Sequence, residues 1–120
     1  MAVRSYRDLI AWQKAMDLAE AVYRLAAGLP RAEAFGLSSQ LRRAALSVPS
    51  NIAEGQGRGA TKEYVRFLRI ARGSLQEVET QLLLAGRLGL VPDAEVRRHL
   101  ASSDEVCRLI SGLMRSLEAR

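Results

Sequence analysis

The segment "EYVRFLRIARGSLQEVETQLLLAGRLGL", residues 63–90, decides the fold class. Its apolar residues recur in alternating steps of four and three, which places them on one face of an α-helix. No part of the chain alternates with the period of two that a half-buried strand requires. The segment therefore predicts a long amphipathic helix that begins near Thr61. The stripe consists of Tyr64, Leu68, Ala71, Leu75, Val78, Leu82 and Ala85.

A helix is also predicted near the amino terminus, where Ser5 and Asp8 have the spacing of a capping box. Its apolar sector covers nearly half of the helix circumference, which is wider than contact with one partner helix requires. A bare apolar surface of that size is unusual on a monomer, so we expect the protein to assemble with copies of itself. The sector consists of the stripe Leu9, Trp12, Met16, Ala19, Tyr23 and Ala26, with Leu18, Val22, Leu25 and Leu29 beside it.

The next predicted helix starts near Ser38 or Ser39 and contains Pro49. Proline has no amide hydrogen for the carbonyl four residues earlier, and its ring crowds that carbonyl. We expect a kink in one helix, because the apolar spacing carries across the proline. Gly55 or Gly57 is expected to end the helix in the left-handed conformation. The apolar residues are Leu37, Leu41, Ala44, Ala45, Val48 and Ile52.

The last predicted helix follows Pro92, with Asp93 as its cap. Four long amphipathic helices with short connections are typical of an antiparallel up-down-up-down four-helix bundle. We therefore predict an all-α protein in which residues 1–120 form a single domain. The second helix of this bundle is expected to be kinked at Pro49. The stripe of the last helix consists of Val96, Leu100, Ser103, Cys107, Ile110, Met114 and Leu117.

The composition of the chain limits which cellular compartment and which partners we expect for the protein. The chain has 18 Lys and Arg against 13 Asp and Glu, a net charge of +5, and nearly all of the positive charge is arginine. Arginine binds phosphate in a bidentate geometry, so RNA or DNA is a plausible partner, although a genome that favours arginine explains the bias equally well. One cysteine, no signal peptide and no long apolar run lead us to expect a soluble cytoplasmic protein without a membrane span.

Residues 47–64, "SVPSNIAEGQGRGATKEY", contain three glycines followed by Thr61 and Lys62, as phosphate-binding loops do. The order of threonine and lysine is the reverse of the Walker motif. That motif and the dinucleotide-binding motif also follow a strand, whereas this segment follows a helical pattern. A mononucleotide site is therefore disfavoured, but amides at the start of the third helix could meet one phosphate of a larger polyanion.

Cations recur at helical spacing at the start of the third helix, where the helix dipole favours acidic residues. In an antiparallel hairpin we expect Arg42 and Arg43 to lie beside Arg72. The alternative is a solvated face with local ion pairs to Glu54 and Glu63. The candidate nucleic-acid-binding residues are Arg42, Arg43, Arg58, Lys62, Arg66, Arg69 and Arg72.

Catalysis has little support in the sequence. His99 has no candidate metal-ligand or nucleophile partner near it in the chain, and we expect it at the surface. Cys107 occupies a core position of the last stripe and is expected to be an inert buried thiol. Glu77 and Glu79 fall on different helical faces. We predict no catalytic residue, no cofactor and no metal site.

Three segments resemble the bacterial 23S rRNA intervening-sequence proteins, a family of small four-helix bundles often encoded within insertions in ribosomal RNA genes. They are "YRDLIAWQKAMDLAEAVY" at 6–23, "FGLSSQLRRAALSVPSNIAEGQGRG" at 35–59, and the segment at 63–90. The resemblance implies a homopentamer. It also implies a relationship to the accessory proteins of diversity-generating retroelements, which bind a reverse transcriptase and nucleic acid. It implies no reaction.

The family's central signature falls on Ser50, Asn51, Glu54, Gly55 and Arg58, followed by Gly73 and Ser74, which we expect to mark close helix packing. We expect a non-enzymatic oligomeric module that contacts RNA or DNA through its arginine-rich surface, as an accessory to a nucleic-acid enzyme. The alternative is a structural scaffold that binds protein partners without nucleic acid. A small hydrolase is the least favoured interpretation.

Overall fold

A computed structural model describes residues 5–120 of the chain. This part of the chain is helical and contains no strand. The α-helices are α1 (Ile10–Ala27), α2 (Leu37–Gly57), α3 (Thr61–Arg87) and α4 (Asp93–Glu118), and short 3₁₀ turns cover Tyr6–Asp8 and Arg31–Glu33.

The helices form an elongated bundle of 46 × 24 × 20 Å. α2 packs against α1 and α3, and α4 packs against α3 and α1. Because the connections are short, consecutive helices run antiparallel, and the chain goes up, down, up and down. The predicted all-α four-helix bundle is confirmed. The turn between α2 and α3 lies at the same end as the start of α1 and the end of α4.

The stripe on α3 supplies the centre of the core. Leu68, Leu75, Val78 and Leu82 have no solvent exposure, and Tyr64 at the start of the stripe is half-buried. The alternation of four and three residues keeps these side chains between α2 and α4 along the whole helix. The stripe predicted for α3 is therefore confirmed.

The wide apolar sector of α1 divides into two halves. Leu18, Val22 and Leu25 are buried in the core, whereas Met16 is 43% and Tyr23 41% exposed. The residues placed beside the stripe thus pack more deeply than several residues of the stripe itself. The capping box between Ser5 and Asp8 is present, but it closes the 3₁₀ turn that precedes α1.

α2 is one continuous helix across the buried Pro49, as predicted, and the kink itself stays a prediction. Gly36 is the residue before its first turn, and the Ser38 hydroxyl instead donates to the carbonyl oxygen of Ala26 in α1. The left-handed ending expected at Gly55 or Gly57 is wrong. The helix continues through both glycines, and Gly59 adopts the positive φ of 81°.

Gly55 stays helical because α3 passes against it. A Cβ at this position would lie 2.9 Å from Cβ of Phe67 and 3.1 Å from the carbonyl oxygen of Tyr64. The packing role expected for Gly73 is wrong, since a Cβ there would meet nothing within 4 Å. Its neighbour Ser74 is buried and shares a hydrogen bond of 2.8 Å with the Ser47 hydroxyl.

α4 buries five of the seven residues of its predicted stripe, and His99 and Val106 are buried in addition. Leu100 and Cys107 are half-buried and pack against the edge of the core, so Cys107 is less buried than expected, and the surface position expected for His99 is wrong. Burial of His99 is tolerated because its Nδ1 donates to the Glu95 carbonyl oxygen at 2.7 Å. Asp93 is the first helical residue, after Pro92, and makes no side-chain cap.

We expect Gly55→Ala to lower the free energy of unfolding by about 1–3 kcal/mol, because the added methyl group must displace α3 from α2. Gly57→Ala is the matched control on the same helix, since a Cβ at Gly57 meets nothing within 4 Å. Urea unfolding of both variants at one protein concentration measures the effect. Equal stability of the two variants would contradict a tight contact at Gly55.

Candidate nucleic-acid interface

The turn between α2 and α3 gathers cations at one end of the bundle. Arg58 follows the last residue of α2, and Lys62 is the second residue of α3. Arg66 and Arg69 lie on the exposed side of α3 in the next two turns. We call Arg58, Lys62, Arg66 and Arg69 the turn cluster. Ala60 precedes α3 and offers no side-chain cap to its free amides.

Phe67 holds two members of the turn cluster in place. The guanidinium carbon of Arg58 lies 5.0 Å from the centroid of the Phe67 ring, and that of Arg66 lies 4.6 Å from it. The ring is only 9% exposed and is fixed against α2 by the contact with Gly55. Cation–π contacts of this kind contribute about 0.5–1 kcal/mol each at exposed sites. The two guanidinium groups are therefore oriented in advance of any ligand.

Two carboxylates pair with the same arginines. Arg58 lies 3.1 Å from Glu54, and Arg66 lies 2.9 Å from Glu63. Exposed pairs of this kind are worth about 0–1 kcal/mol, so they orient the arginines more than they stabilise the fold. Among residues 5–120, no carboxylate lies within ion-pair distance of Lys62 or Arg69. Both cations are therefore available to pair with an anionic ligand.

The cations of the turn cluster lower the pKa of Glu63, the acidic residue that follows Lys62. The hydrogen bond from Arg66 lowers the pKa of Glu63, and the charges of Arg66, Arg58 and Lys62 lower it further. Burial raises the pKa of Tyr64, and the charge of Arg120 opposes that shift. The carboxyl-terminal arginine thus lies close enough to Tyr64 to add positive charge at this end of the bundle.

The structure places Arg42 and Arg43 away from the turn cluster, whereas Arg72 lies one turn beyond Arg69 on α3. Arg72 donates to the Ser111 hydroxyl on α4 at 3.3 Å, and Arg43 shares a surface depression with Glu77. Arg42 lies about 24 Å from Arg58 along α2, at the rise of about 1.5 Å per residue. The prediction that Arg42 and Arg43 lie beside Arg72 is wrong. The helix register, fixed where Ser47 meets Ser74, places Arg43 beyond Arg72.

A model of the 23S rRNA-intervening sequence protein family matches residues 7–112. The chain belongs to this family. The crystal structure of a protein of unknown function from the S23 ribosomal protein family of Bacteroides thetaiotaomicron has a TM-score of 0.79 to this chain, at 20% identity. The match covers 88% of this chain and 98% of that one, and at this identity it shows a shared fold alone. No curated protein matches the chain.

Most signature residues of this intervening-sequence protein make contacts within the fold. The Asn51 side-chain amide donates to the Ser47 carbonyl oxygen at 2.7 Å and to its hydroxyl at 2.9 Å. Gly55 permits the contact with α3, and Glu54 pairs with Arg58. Ser50 is exposed. Gly55 thus borders α3 directly, and Asn51 contacts the Ser47 hydroxyl that shares a hydrogen bond with Ser74 of α3.

The intervening-sequence protein shows no second site of evident chemistry in its described residues. Ser103 is fully buried and donates to the Glu79 carboxylate at 2.8 Å, so it is closed to a substrate. No group of three or more His, Cys, Asp or Glu within residues 5–120 could hold a metal ion. In the same range, no helix has the length and apolarity needed to cross a membrane.

We expect Arg66→Gln to raise the pKa of Glu63 towards its ordinary value of 4.5, because the largest cause of the lowered pKa is lost. In the wild type, the stabilisation from Glu63 is present above that ordinary value. It disappears as the pH falls through the lowered folded-state pKa. Carbon-detected NMR titration of the Glu63 carboxyl group measures the shift.

Arg69→Gln is the control for this titration. Arg69 is not among the groups that shift the pKa of Glu63, so its removal should leave the titration unchanged. A Glu63 that titrates identically in the wild type and in Arg66→Gln would show that the pair does not form in solution.

Proposed function

We propose that this intervening-sequence protein is a non-enzymatic, self-associating helical module that binds RNA or DNA through the turn cluster. The observation that carries the proposal is the arrangement around Phe67. Two guanidinium groups are held on one ring, and two unpaired cations lie beside them at the start of α3. Pre-orientation lowers the entropy cost of binding a phosphate backbone.

The chemistry of the turn cluster favours backbone contact over base reading. Lys62 lies in the first turn of α3, where free amides and the helix dipole attract an anion. Arginine and lysine contacts to phosphate position a nucleic acid but carry no sequence information. We therefore infer binding that depends on charge, with little preference for sequence. Arg42, Arg43 and Arg72 are not part of this proposed contact.

Self-association would multiply the effect of the cluster. The exposed Met16 and Tyr23 on α1 support assembly, because half-exposed apolar residues on one helix face are typical of an interface. The family resemblance implies five subunits. A ring would repeat the turn cluster around one axis and could engage several phosphates together.

We propose an accessory role to a nucleic-acid enzyme, such as a reverse transcriptase, in the cytoplasm. A rigid bundle end that holds a nucleic-acid backbone would suit such a role. The second candidate function is a scaffold for protein partners without nucleic acid. Leu83, Leu84 and Leu88 favour it, because these three residues near the end of α3 are each about half exposed.

We expect the wild type to bind labelled single-stranded RNA tightly in dilute buffer and weakly at high salt. Each neutralised phosphate should add about 0.7 to the slope of log affinity against log salt for a single strand. The triple variant Lys62→Glu, Arg66→Glu and Arg69→Glu should lose the binding. The double variant Lys62→Gln and Arg69→Gln keeps Arg66 on Phe67 and should lower both the affinity and the salt slope. Fluorescence anisotropy measures all three proteins.

The matched control replaces Arg31, Arg87 and Arg97 with glutamate, which gives the same change of charge at the opposite end of the bundle. This control should retain most of the binding if the turn cluster is the contact. Circular dichroism verifies that each variant is helical. If the wild type does not bind RNA at low salt, or if the control loses as much binding as the triple variant, the turn cluster is not the RNA contact. Either result would favour the scaffold function.

A further inference from the structure

Arg58 and Arg66 hold their guanidinium groups over the same ring, that of Phe67. Both guanidinium carbons lie within 5.0 Å of the ring centroid, so less than twice that distance separates them. A guanidinium group is planar, and its N–H donors point outward in that plane, whereas its flat faces stack on aromatic rings. For each of the two arginines, the Phe67 ring therefore takes one flat face.

Carboxylates take part of the edge of each guanidinium group. The Glu63 carboxylate accepts from Nε of Arg66 at 2.9 Å and from its Nη2 at 3.3 Å. Glu54 accepts from Nη2 of Arg58 at 3.1 Å. The side chains of Arg58 and Arg66 are nonetheless 48% and 55% exposed. This arrangement leaves the flat face that is turned away from the ring open to a ligand.

The other two cations of the turn cluster are placed differently. Lys62 and Arg69 lie over no aromatic ring and within ion-pair distance of no carboxylate among residues 5–120, so their charges suit phosphate groups. An open guanidinium face suits another partner, because arginine planes stack on nucleobases as aromatic side chains do. In a duplex, the faces of the bases are covered by neighbouring base pairs. Only unpaired bases, which can be splayed out from the strand, reach such a face.

We propose that Arg58 and Arg66 stack on unpaired bases, and that the ligand of the turn cluster is therefore a single-stranded nucleic acid. This inference rests on the nucleic-acid binding proposed above and adds the structural class of the ligand. Lys62 and Arg69 contact the phosphates of the strand. Every base has a flat face, so stacking discriminates paired from unpaired bases and adds little preference for sequence.

A ligand without bases separates stacking from charge. The comparison is between single-stranded RNA and an oligomer of the same length in which abasic sugar–phosphate units replace the nucleotides, so that both have the same number of phosphates. The wild type should bind the RNA roughly tenfold more tightly than the abasic oligomer at low salt, an effect of the size expected for stacking of one base. Fluorescence anisotropy at one salt concentration measures both affinities, and their ratio is the readout.

A change from arginine to lysine keeps the charge and removes the planar group. The double variant Arg58→Lys and Arg66→Lys should bind the RNA and the abasic oligomer with nearly equal affinity. Its salt slope on RNA should equal that of the wild type, because the number of cations is unchanged. Its affinity for duplex RNA should also be unchanged. Arg69→Lys is the matched control and should keep the wild-type ratio, since Arg69 does not lie over the ring.

The role of the ring is tested by Phe67→Leu, which leaves all four cations of the turn cluster in place. Without the ring, the guanidinium faces are no longer held in one orientation, so the ratio between RNA and the abasic oligomer should fall towards one. Circular dichroism verifies that the variant is helical. An unchanged ratio in the folded variant would show that Phe67 does not position these faces.

The outcomes separate this inference from the proposed function. If the wild type binds neither oligomer at low salt, both are rejected. If it binds the two oligomers equally tightly, base stacking is rejected and the turn cluster remains a phosphate contact. A double lysine variant that keeps the wild-type ratio would show that the bases contact other residues, and it would overturn the roles given to Arg58 and Arg66.

Discussion

The close approach of α2 and α3 at Gly55 is the constraint on which the rest of the structure depends. Only a hydrogen atom fits between the α2 backbone and the side chain of Phe67, where a Cβ would lie 2.9 Å away. This contact fixes the register of the two helices and keeps Phe67 against α2. It thereby sets where the guanidinium groups of Arg58 and Arg66 are held. Gly55, which allows α2 and α3 to pack closely, thus also positions the candidate site.

A polar seam continues the contact along the two helices. Ser47 shares a hydrogen bond with Ser74, and Asn51 donates to Ser47 one turn away. The seam begins two residues before Pro49, which cannot donate to the carbonyl of Ala45. Part-buried hydrogen bonds of this kind specify one register, because a shift of either helix would leave polar groups without partners. Asn51 and Gly55, on which the family resemblance falls, thus both take part in the contacts of this seam.

The sequence predicts the fold class well, because the period of the apolar residues depends on helix geometry alone. The sequence does not predict features that depend on contacts between different helices. The left-handed ending expected at Gly55 did not form because α3 packs there, and the burial of His99 is tolerated because its Nδ1–H donates a hydrogen bond to a backbone carbonyl oxygen. Phe67 could not be identified as the support of two arginines, since its partners come from both helices. The period of the apolar residues shows on which face of its helix a residue lies. The residues that it contacts depend on how neighbouring helices are aligned along their length.

Hydrogen–deuterium exchange of the protein, with and without single-stranded RNA at low salt, tests the central claim most directly. That claim is that the contact at Gly55 presents the turn cluster as one rigid binding surface. The account predicts that RNA slows exchange most strongly in peptides from residues 55–70, and little in those from residues 88–105 at the opposite end. Protection that is absent, or strongest at the opposite end, would contradict it.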